Sequence, residues 1–521
     1  MTTFFEHGGH SLKATILIAR INKELGVEIP VRGLFQSPTV RGLAQLFEQS
    51  DQKQFAEIPV ADTQSFYELS AAQKRLFLIE QMNGDNTSYN MTAAFEIEGD
   101  LDIDKLEACF RALIQRHEAF RTSFRVIDGE SVQIIHSEAA FSIKKYGNVN
   151  DAEMKRLVEE FAVPFDLSTA PLFRTSLAQR TENHYVLLVD MHHIISDGTS
   201  IGLFIEEFNE LYSGKELPEL RIQYKDYAAW HNEQLTNREL ETHKQYWLEH
   251  FSGEIPVLSM PTDFTRPQQH SKDGAKLVHA VGSGLTARLK QLAQETGTTM
   301  YMILLAGYSI LLSKYAGQEE VIVGSAVAGR DHADLRQVMG VFVNTLAMRS
   351  KPEGQKSFRA YLEEVKEVCL NAYEHQQYPF ESLVDQLKLP RDLSRSPLFD
   401  VMLTMQNAGE EDFQVEGLSI KPYPIEQQSA KFDISLLVKL TEEEIVLEFV
   451  YCTDLFTGDT MQRFARLLVQ VLHTGADQPN LQLAKISLLS DEEKVKGAAP
   501  LQGDRKEAAK KTKVPYRCGV V

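Results

Sequence analysis

The chain has 521 residues of ordinary globular composition, which is too long for one hydrophobic core and predicts about three or four structural units. Its formal charge is -19, from 54 basic and 73 acidic residues, and this argues against a general affinity for nucleic acid or for an anionic membrane. The four cysteines are far apart and form no CxxC pair, so neither a disulfide framework nor a cysteine zinc site is expected, and a reducing cytosol fits best.

The first predicted unit is small and helical. Ser11 follows two glycines and a histidine in FFEHGGHSLKA, and apolar residues then recur at helical spacing up to Leu25, with Gly26 where a helix would stop. Ser11 is therefore predicted at a helix N-terminus, where the ordinary interpretation of a serine is an N-cap. A second helix is predicted over residues 40–47, and the polar stretch 51–65 is predicted to be a linker.

From about residue 66, predicted strands alternate with helices. TAAFEIEG is typical of a strand, a helical spacing of apolar residues follows, and Asp128-Gly129 indicates a hairpin. A second series of this kind starts near residue 274, after a polar, proline-rich connection, so two similar α/β halves are expected. The apolar run 301–312 is too short to span a bilayer and predicts a buried helix.

The stretch HYVLLVDMHHIISDGTSIGLFIEEFNELY joins a predicted strand to a predicted helix, and its polar residues gather in the joint. Successive strand side chains point to opposite faces, so one of His192 and His193 is expected to face a cleft while the other supports it. A zinc site formed by both histidines and Asp197 is geometrically awkward. A structural histidine pair is the other interpretation.

The same joint contains the pattern GxSxG, with Ser200 at its centre, which is typical of the nucleophile in many hydrolases. That nucleophile needs a sharp turn directly after the strand, whereas eight residues separate Met191 from Ser200. A serine hydrolase therefore stays an alternative, and replacing Ser200 with alanine would discriminate it.

HHIISDG, from His192 to Gly198, resembles the HHxxxDG motif of nonribosomal peptide synthetase condensation domains. The opening FFEHGGHSL resembles the peptidyl carrier motif, whose serine takes a phosphopantetheine arm, so 4'-phosphopantetheine on Ser11 is the expected cofactor. Other stretches match the condensation family in order: SAAQKRLFLIEQM from Ser70, RHEAFRTSF from Arg116, YKDYAAW from Tyr224, VMGVFVNTLAMR from Val338, HQQYPFE from His375 and RDLSRSPL from Arg391.

The resemblance implies a mixed α/β (α+β) fold, with a small helical carrier domain followed by two chloramphenicol-acetyltransferase-like lobes in a V-shaped pseudo-dimer. Only ten residues precede Ser11, so the first carrier helix is expected to be missing. The predicted division is a truncated carrier domain over residues 1–50, a linker over 51–65, an N-lobe over 66–250, a C-lobe over 251–493, and a disordered or artificial tail over 494–521.

The resemblance also implies a reaction: transfer of a carrier-bound aminoacyl or peptidyl thioester to the α-amine of an aminoacyl group on a downstream carrier. His193 corresponds to the second, central histidine, acting either as a general base or as a positioning group, with His192 in support. The family assigns Asp197 a structural ion pair, for which Arg330 is the predicted partner and Arg349 the reserve. The backbone N–H of Gly198 is a candidate oxyanion contact.

The implied partners are adenylation domains, a downstream acceptor carrier and a phosphopantetheinyl transferase, with no nucleic acid, no membrane and a monomeric chain. An inactive carrier-docking module is a further alternative. Cyclisation and epimerisation relatives differ from this chain in or just after the histidine motif, which favours condensation, and the first motif favours joining two L-residues. Asn344 and Trp230 match family motifs, but loop hydrogen bonding and core packing are their simpler explanations.

Overall fold

A computed structural model describes residues 3–488 apart from 6, 8, 28, 50–55, 84–86, 391, 408–412, 426–428 and 442. The predicted tail and most of the predicted linker's first half lie outside the described residues.

The N-terminal unit consists of short packed helices: α1 (Ser11–Leu25), α2 (Val31–Gln36) and α3 (Val40–Gln49). As predicted, α1 ends at Gly26, whose φ of 66° is the left-handed conformation that favours glycine. Ser11 is the first residue of α1 and not its cap, since the His10 ring accepts the hydrogen bond from the Lys13 N–H. The N-cap interpretation of Ser11 is therefore wrong.

The region after the linker alternates strands and helices in chain order: β1 (Tyr67–Glu68), α4 (Ala71–Asn83), β2 (Asn90–Gly99), α5 (Ile103–Arg116), β3 (Thr122–Ile127), β4 (Glu130–Ile135), β5 (Lys144–Tyr146), α6 (Asp151–Phe161), β6 (Phe173–Thr181), β7 (His184–His192), α7 (Gly198–Tyr212), α8 (Tyr224–Thr236) and α9 (Glu241–His250). The predicted hairpin is confirmed, because β3 and β4 pair around Asp128 and Gly129, both with positive φ.

The second series follows the same alternation: β8 (Gly274–Ala280), α10 (Ser283–Thr296), α11 (Met300–Ala316), β9 (Val321–Val327), β10 (Asn344–Ser350), α12 (Phe358–Glu374), α13 (Phe380–Leu387), β11 (Val401–Asn407), β12 (Leu418–Pro422), β13 (Ile434–Leu440), β14 (Ile445–Cys452) and α14 (Gly458–Asp477). Short 3-10 helices complete the described elements: Glu118–Arg121, His193–Ile195, Ala333–Gln337 and Leu483–Lys485. The apolar run 301–312 forms most of α11 and is buried, as predicted.

The strands form two large sheets and a small one. One large sheet has the order β12-β2-β7-β6-β5, the other has the order β10-β9-β11-β13-β14-β8, and the small sheet is β1-β4-β3. Each large sheet has its own hydrophobic core, so the two predicted α/β halves are present. We call them the N-lobe and the C-lobe.

The chain crosses between the lobes beyond the proposed boundary at residue 250. β12 pairs antiparallel with β2 at the edge of the N-lobe sheet. Phe413 and Val415, just before β12, are buried in the N-lobe core, where the Phe413 ring lies 4.9 Å from that of Phe95. The segment after β12 then returns to the C-lobe sheet at β13. The chain thus leaves the C-lobe, adds one strand to the N-lobe sheet, and re-enters the C-lobe.

No single helix among the described residues combines the length and the apolar composition needed to cross a membrane, although α10 and α11, bent by 107°, pass that test as a pair.

Candidate active site

The two adjacent histidines lie where β7 ends and a 3-10 helix begins. His192, the last residue of β7, is 1% exposed, and its Nδ1 accepts a hydrogen bond from the Ile194 N–H at 3.1 Å. His193 starts the 3-10 helix and stays partly exposed. One ring is thus held inside while its neighbour reaches solvent, as the alternation along the strand predicts.

Hydrogen bonds define the tautomer of His193. Its Nδ1 lies 2.8 Å from the Ser196 carbonyl oxygen, which can only accept, so Nδ1 carries the hydrogen and Nε2 carries the lone pair. Its backbone N–H donates to the Tyr89 carbonyl at 2.8 Å, which ties it to the start of β2. His193 therefore presents a basic nitrogen on a ring that the Ser196 carbonyl orients, while the Tyr89 carbonyl holds its backbone.

Burial and the positive charge of Lys431 lower the pKa of His193 below its usual value. The pKa of His192 falls to about 3, because burial disfavours its charged form and because that form would be repelled by a protonated His193, by Lys431 and by Arg174. Both rings are consequently neutral at pH 7, and His193 is free to accept a proton.

Asp197 supports the loop under His193 without bonding to the imidazole. Its carboxylate accepts from the N–H groups of Ser200 at 2.8 Å and Phe342 at 2.9 Å, so it caps α7 and binds that helix to the C-lobe segment. The Arg330 guanidinium lies 3.4 Å from the same carboxylate, and both side chains are almost fully buried. The structure thus brings Asp197 and Arg330 together.

Arg330 is also bound on its other edge. Its Nη1 donates to the carbonyls of Leu335 and Val338, each at 2.6 Å. Its plane lies over the Phe342 ring at 4.1 Å. Arg349, the reserve partner for Asp197, instead bonds to Glu320 at 2.7 Å.

Ser200 is structural. Its hydroxyl is fully buried, donates to the Gly340 carbonyl at 2.9 Å and accepts from Arg330 at 2.7 Å. These contacts leave it without a base to activate it as a nucleophile. By contrast, Gly198 opens α7 in an exposed position, and a Cβ built there would meet nothing within 4 Å. Its N–H is one of the unpaired donors of a helix N-terminus.

Two other candidates have structural roles. The Asn344 amide donates to the carbonyls of Gln376 and Tyr378 and so fastens a loop. The Trp230 ring packs beside His332 at 5.6 Å. Their simpler explanations account for these contacts.

Ser11 lies against the C-lobe. Its hydroxyl donates to the Thr299 hydroxyl at 3.2 Å. The carrier helices are fastened to the same lobe through Arg32, which bonds to Glu367 at 2.7 Å, Glu374 at 3.0 Å and Asn371 at 2.9 Å on α12. The carrier helices and the C-lobe therefore share an interface that contains the proposed attachment serine.

Ser11 fits a phosphopantetheine attachment chemically. It is a partly exposed hydroxyl at the first turn of α1, where unpaired N–H groups and the helix dipole favour a phosphate. The Thr299 contact would have to open for the arm to be attached and extended.

Lys431, which sequence reasoning missed, is the charged group that acts on both histidines. It stands alone in the sequence AKFD, where no motif marks it. Its role depends on the crossing between the lobes described above, which no local pattern shows.

Comparison with known proteins identifies the family of this chain. Residues 63–496 match the condensation domain family, and residues 2–47 match the phosphopantetheine attachment site family. The chain therefore belongs to the condensation domain family and carries a phosphopantetheine attachment region before it. The predicted family and fold class are confirmed.

Among curated relatives, gramicidin S synthase 2 of Brevibacillus brevis is 46% identical over 493 residues, 94% of this chain and 11% of that protein. Tyrocidine synthase 3 of Brevibacillus parabrevis is 45% identical over 504 residues, 97% of this chain and 8% of that protein. The chain thus spans about a tenth of the length of these synthases.

Solved structures share the fold. The X-domain from teicoplanin biosynthesis superposes with a TM-score of 0.77 at 25% identity, covering 83% of this chain and 100% of that one. The first condensation domain of the CDA synthetase gives a TM-score of 0.65 at 19% identity, covering 82% of this chain and 100% of that one.

Proposed function

We propose that this chain forms peptide bonds between carrier-bound aminoacyl groups in nonribosomal peptide synthesis. The observation that carries the proposal is the tautomer of His193: its Nδ1–H is committed to the Ser196 carbonyl, so Nε2 is a neutral proton acceptor on a partly exposed ring. Family membership supplies the reaction class, and the ring supplies the group that it needs.

In this reaction the acceptor α-amine attacks the carbonyl carbon of the donor thioester. The new C–N bond gives a tetrahedral oxyanion, the nitrogen loses a proton, and the C–S bond then breaks to release a thiolate that is protonated to a thiol. We assign His193 Nε2 to receive or orient the amine proton and the Gly198 N–H to contact the oxyanion. His192, Asp197 and Arg330 hold the loop in place.

Phosphopantetheine on Ser11 supplies the thiol that carries the aminoacyl group as a thioester. In our proposal Ser11 lies in a carrier domain over residues 1–50, the linker covers 51–65, the N-lobe covers 66–250 and the C-lobe covers 251–493. Adenylation domains, a downstream acceptor carrier and a phosphopantetheinyl transferase are the proposed partners of a monomeric chain. The buried, unpaired Cys109, Cys369 and Cys452 suit a reducing cytosol.

The test is dipeptide formation between loaded donor and acceptor carriers, measured by mass spectrometry. We expect His193→Ala to lower the rate by about 10²- to 10⁴-fold, the usual effect of losing a proton-transfer group. His473→Ala, at an exposed histidine on α14, is the matched control and should keep the parent rate. Dipeptide formation by His193→Ala at the parent rate would contradict the mechanism.

The same assay separates the alternatives. A serine hydrolase would release free amino acid from the thioester and would lose that activity in Ser200→Ala. A docking module would bind loaded carriers without making dipeptide. The contacts of the Ser200 hydroxyl with Arg330 and Gly340 argue against its use as a hydrolase nucleophile.

A further inference from the structure

Lys431 stands at the junction of the lobes, beside the proposed active site. It lies on the segment that returns from β12 to β13, and its Nζ is 4.7 Å from the centre of the Tyr89 ring, at the start of β2. The carbonyl of the same Tyr89 accepts the His193 backbone N–H at 2.8 Å. One residue of the N-lobe therefore contacts both the lysine and the central histidine.

The backbone around Lys431 is firmly placed. Asp273 and Ser429 form a β-bridge, and the Ala430 N–H donates to the Lys272 carbonyl at 2.8 Å. A Cβ at Gly274 would lie 2.6 Å from the Ala430 nitrogen, so glycine permits this close approach. Lys272 and Lys431 therefore extend from two backbone segments that are bonded to each other.

The charges around this point do not balance. Arg75 forms a salt bridge with Glu381 at 3.0 Å, and Lys272 interacts electrostatically with Glu80. Arg75 and Lys272 are the charges in the described part of the chain that act on Lys431, and both are cations. Among the described residues, the ammonium of Lys431 thus has a tyrosine ring beside it and no carboxylate that compensates its charge.

Solvent reaches the side chain of Lys431, although other protein groups surround it. Its side chain is exposed to solvent, yet the surrounding protein and the two cations lower its pKa to about 8. The Lys431 ammonium remains charged at pH 7, and an anion brought beside it would form a charge-assisted hydrogen bond without displacing a carboxylate of the described residues.

We propose that Lys431, with Arg75 and Lys272, forms a subsite for the side-chain carboxylate of an acidic aminoacyl substrate, aspartyl or glutamyl in class. This inference rests on the proposed function, because that function places an aminoacyl thioester at His193. The side chain of the reacting residue lies within a few bonds of the thioester carbon. The phosphate of the pantetheine arm is the other available anion, but it lies the whole length of the arm from the thioester.

The test compares glutamyl and glutaminyl pantetheine analogues, in which an amide replaces the reactive thioester, by titration calorimetry with the full chain. We expect the glutamyl analogue to bind about ten- to a hundredfold more tightly, the range for a charged hydrogen bond. Lys431→Met should bring this ratio close to one, and Lys431→Arg should keep it. Lys290→Met, at an exposed lysine on α10, is the matched control and should leave the ratio unchanged.

Three results would overturn the inference. Equal binding of the two analogues by the parent protein would remove the carboxylate preference. An equal loss for both analogues in Lys431→Met would place the lysine on a part that they share. Tighter binding of a phosphopantetheine glutaminyl analogue, lost in Lys431→Met, would assign the lysine to the phosphate. Since binding needs no turnover, the result stands apart from the dipeptide assay of His193→Ala, so failure of the subsite and failure of the proposed reaction are distinguishable.

Discussion

Removing the carboxylate of Asp197 should unfold the loop beneath His193 before it affects any chemical step. The Asp197 and Arg330 side chains are 3% and 5% exposed, so Asp197→Ala leaves a buried guanidinium without its counter-charge and also removes the cap of α7. Breaking such a pair costs about 3 to 5 kcal/mol. We expect a loss of this size in the free energy of unfolding.

This magnitude converts to measurable quantities. The unfolding entropy of a region of about 430 residues is about 0.9 kcal/mol per degree, so the melting temperature should fall by about 3 to 5 °C. If the loss is local, hydrogen exchange over residues 193–203 should lose about a hundred- to several-thousandfold in protection, which mass spectrometry of peptides would detect. Arg156→Ala, in an exposed pair with Glu160, is the matched control and should change stability by less than about 0.5 kcal/mol.

One result would refute this reasoning. If Asp197→Ala kept the parent melting temperature and the parent exchange over residues 193–203, yet formed no dipeptide, the carboxylate would have a chemical role. The contacts from Asp197 to Ser200 and Phe342 would then not be its main contribution.

Other predictions concern pH, backbone geometry and the carrier interface. His192 has a pKa of about 3 when folded and about 6.5 when unfolded, so the unfolded chain takes up the proton first as the pH falls. The contribution of His192 to stability is therefore full above pH 6.5, and the free energy of unfolding, measured by denaturant titration, should fall by about 2 kcal/mol by pH 5. His192→Asn should reduce this dependence on pH. Gly329 has a φ of 62° and a Cβ there would lie 1.9 Å from the Phe342 oxygen, so Gly329→Ala should lower the free energy of unfolding by about 2 to 4 kcal/mol in the same assay. Arg32→Ala should loosen the carrier helices and speed phosphopantetheine transfer to Ser11 about two- to fivefold by mass spectrometry, and an unchanged rate would contradict a closed interface.

Local patterns predicted much of the fold because periodicity reports which face of an element is buried. The spacing of apolar residues located α5, the apolar run 301–312 located α11, and Gly26 marked the end of α1. α2 was missed because its six residues include a glycine, and its placement relies on Arg32 reaching α12. Such a long-range contact leaves no mark in a short window of sequence.

The candidate site divides in the same way. His192 and His193 could be assigned opposite environments from strand alternation alone. The contact between Asp197 and Arg330 joins residues 133 positions apart and was expected only through the family resemblance. Lys272 and Lys431 are brought together by the pairing of two remote backbone segments, so neither composition nor spacing could identify them.

The crossing of β12 into the N-lobe sheet matters for anyone who recombines such enzymes. A chimera joined at residue 250 would pair β2 of one parent with β12 of the other, and would seat Phe413 of the second parent against Phe95 and Phe208 of the first. A mismatch would leave an open sheet edge beside an apolar hole, which promotes aggregation. Grafts that move residues 413–422 together with the N-lobe preserve the pairing of β2 with β12 and the contacts of Phe413.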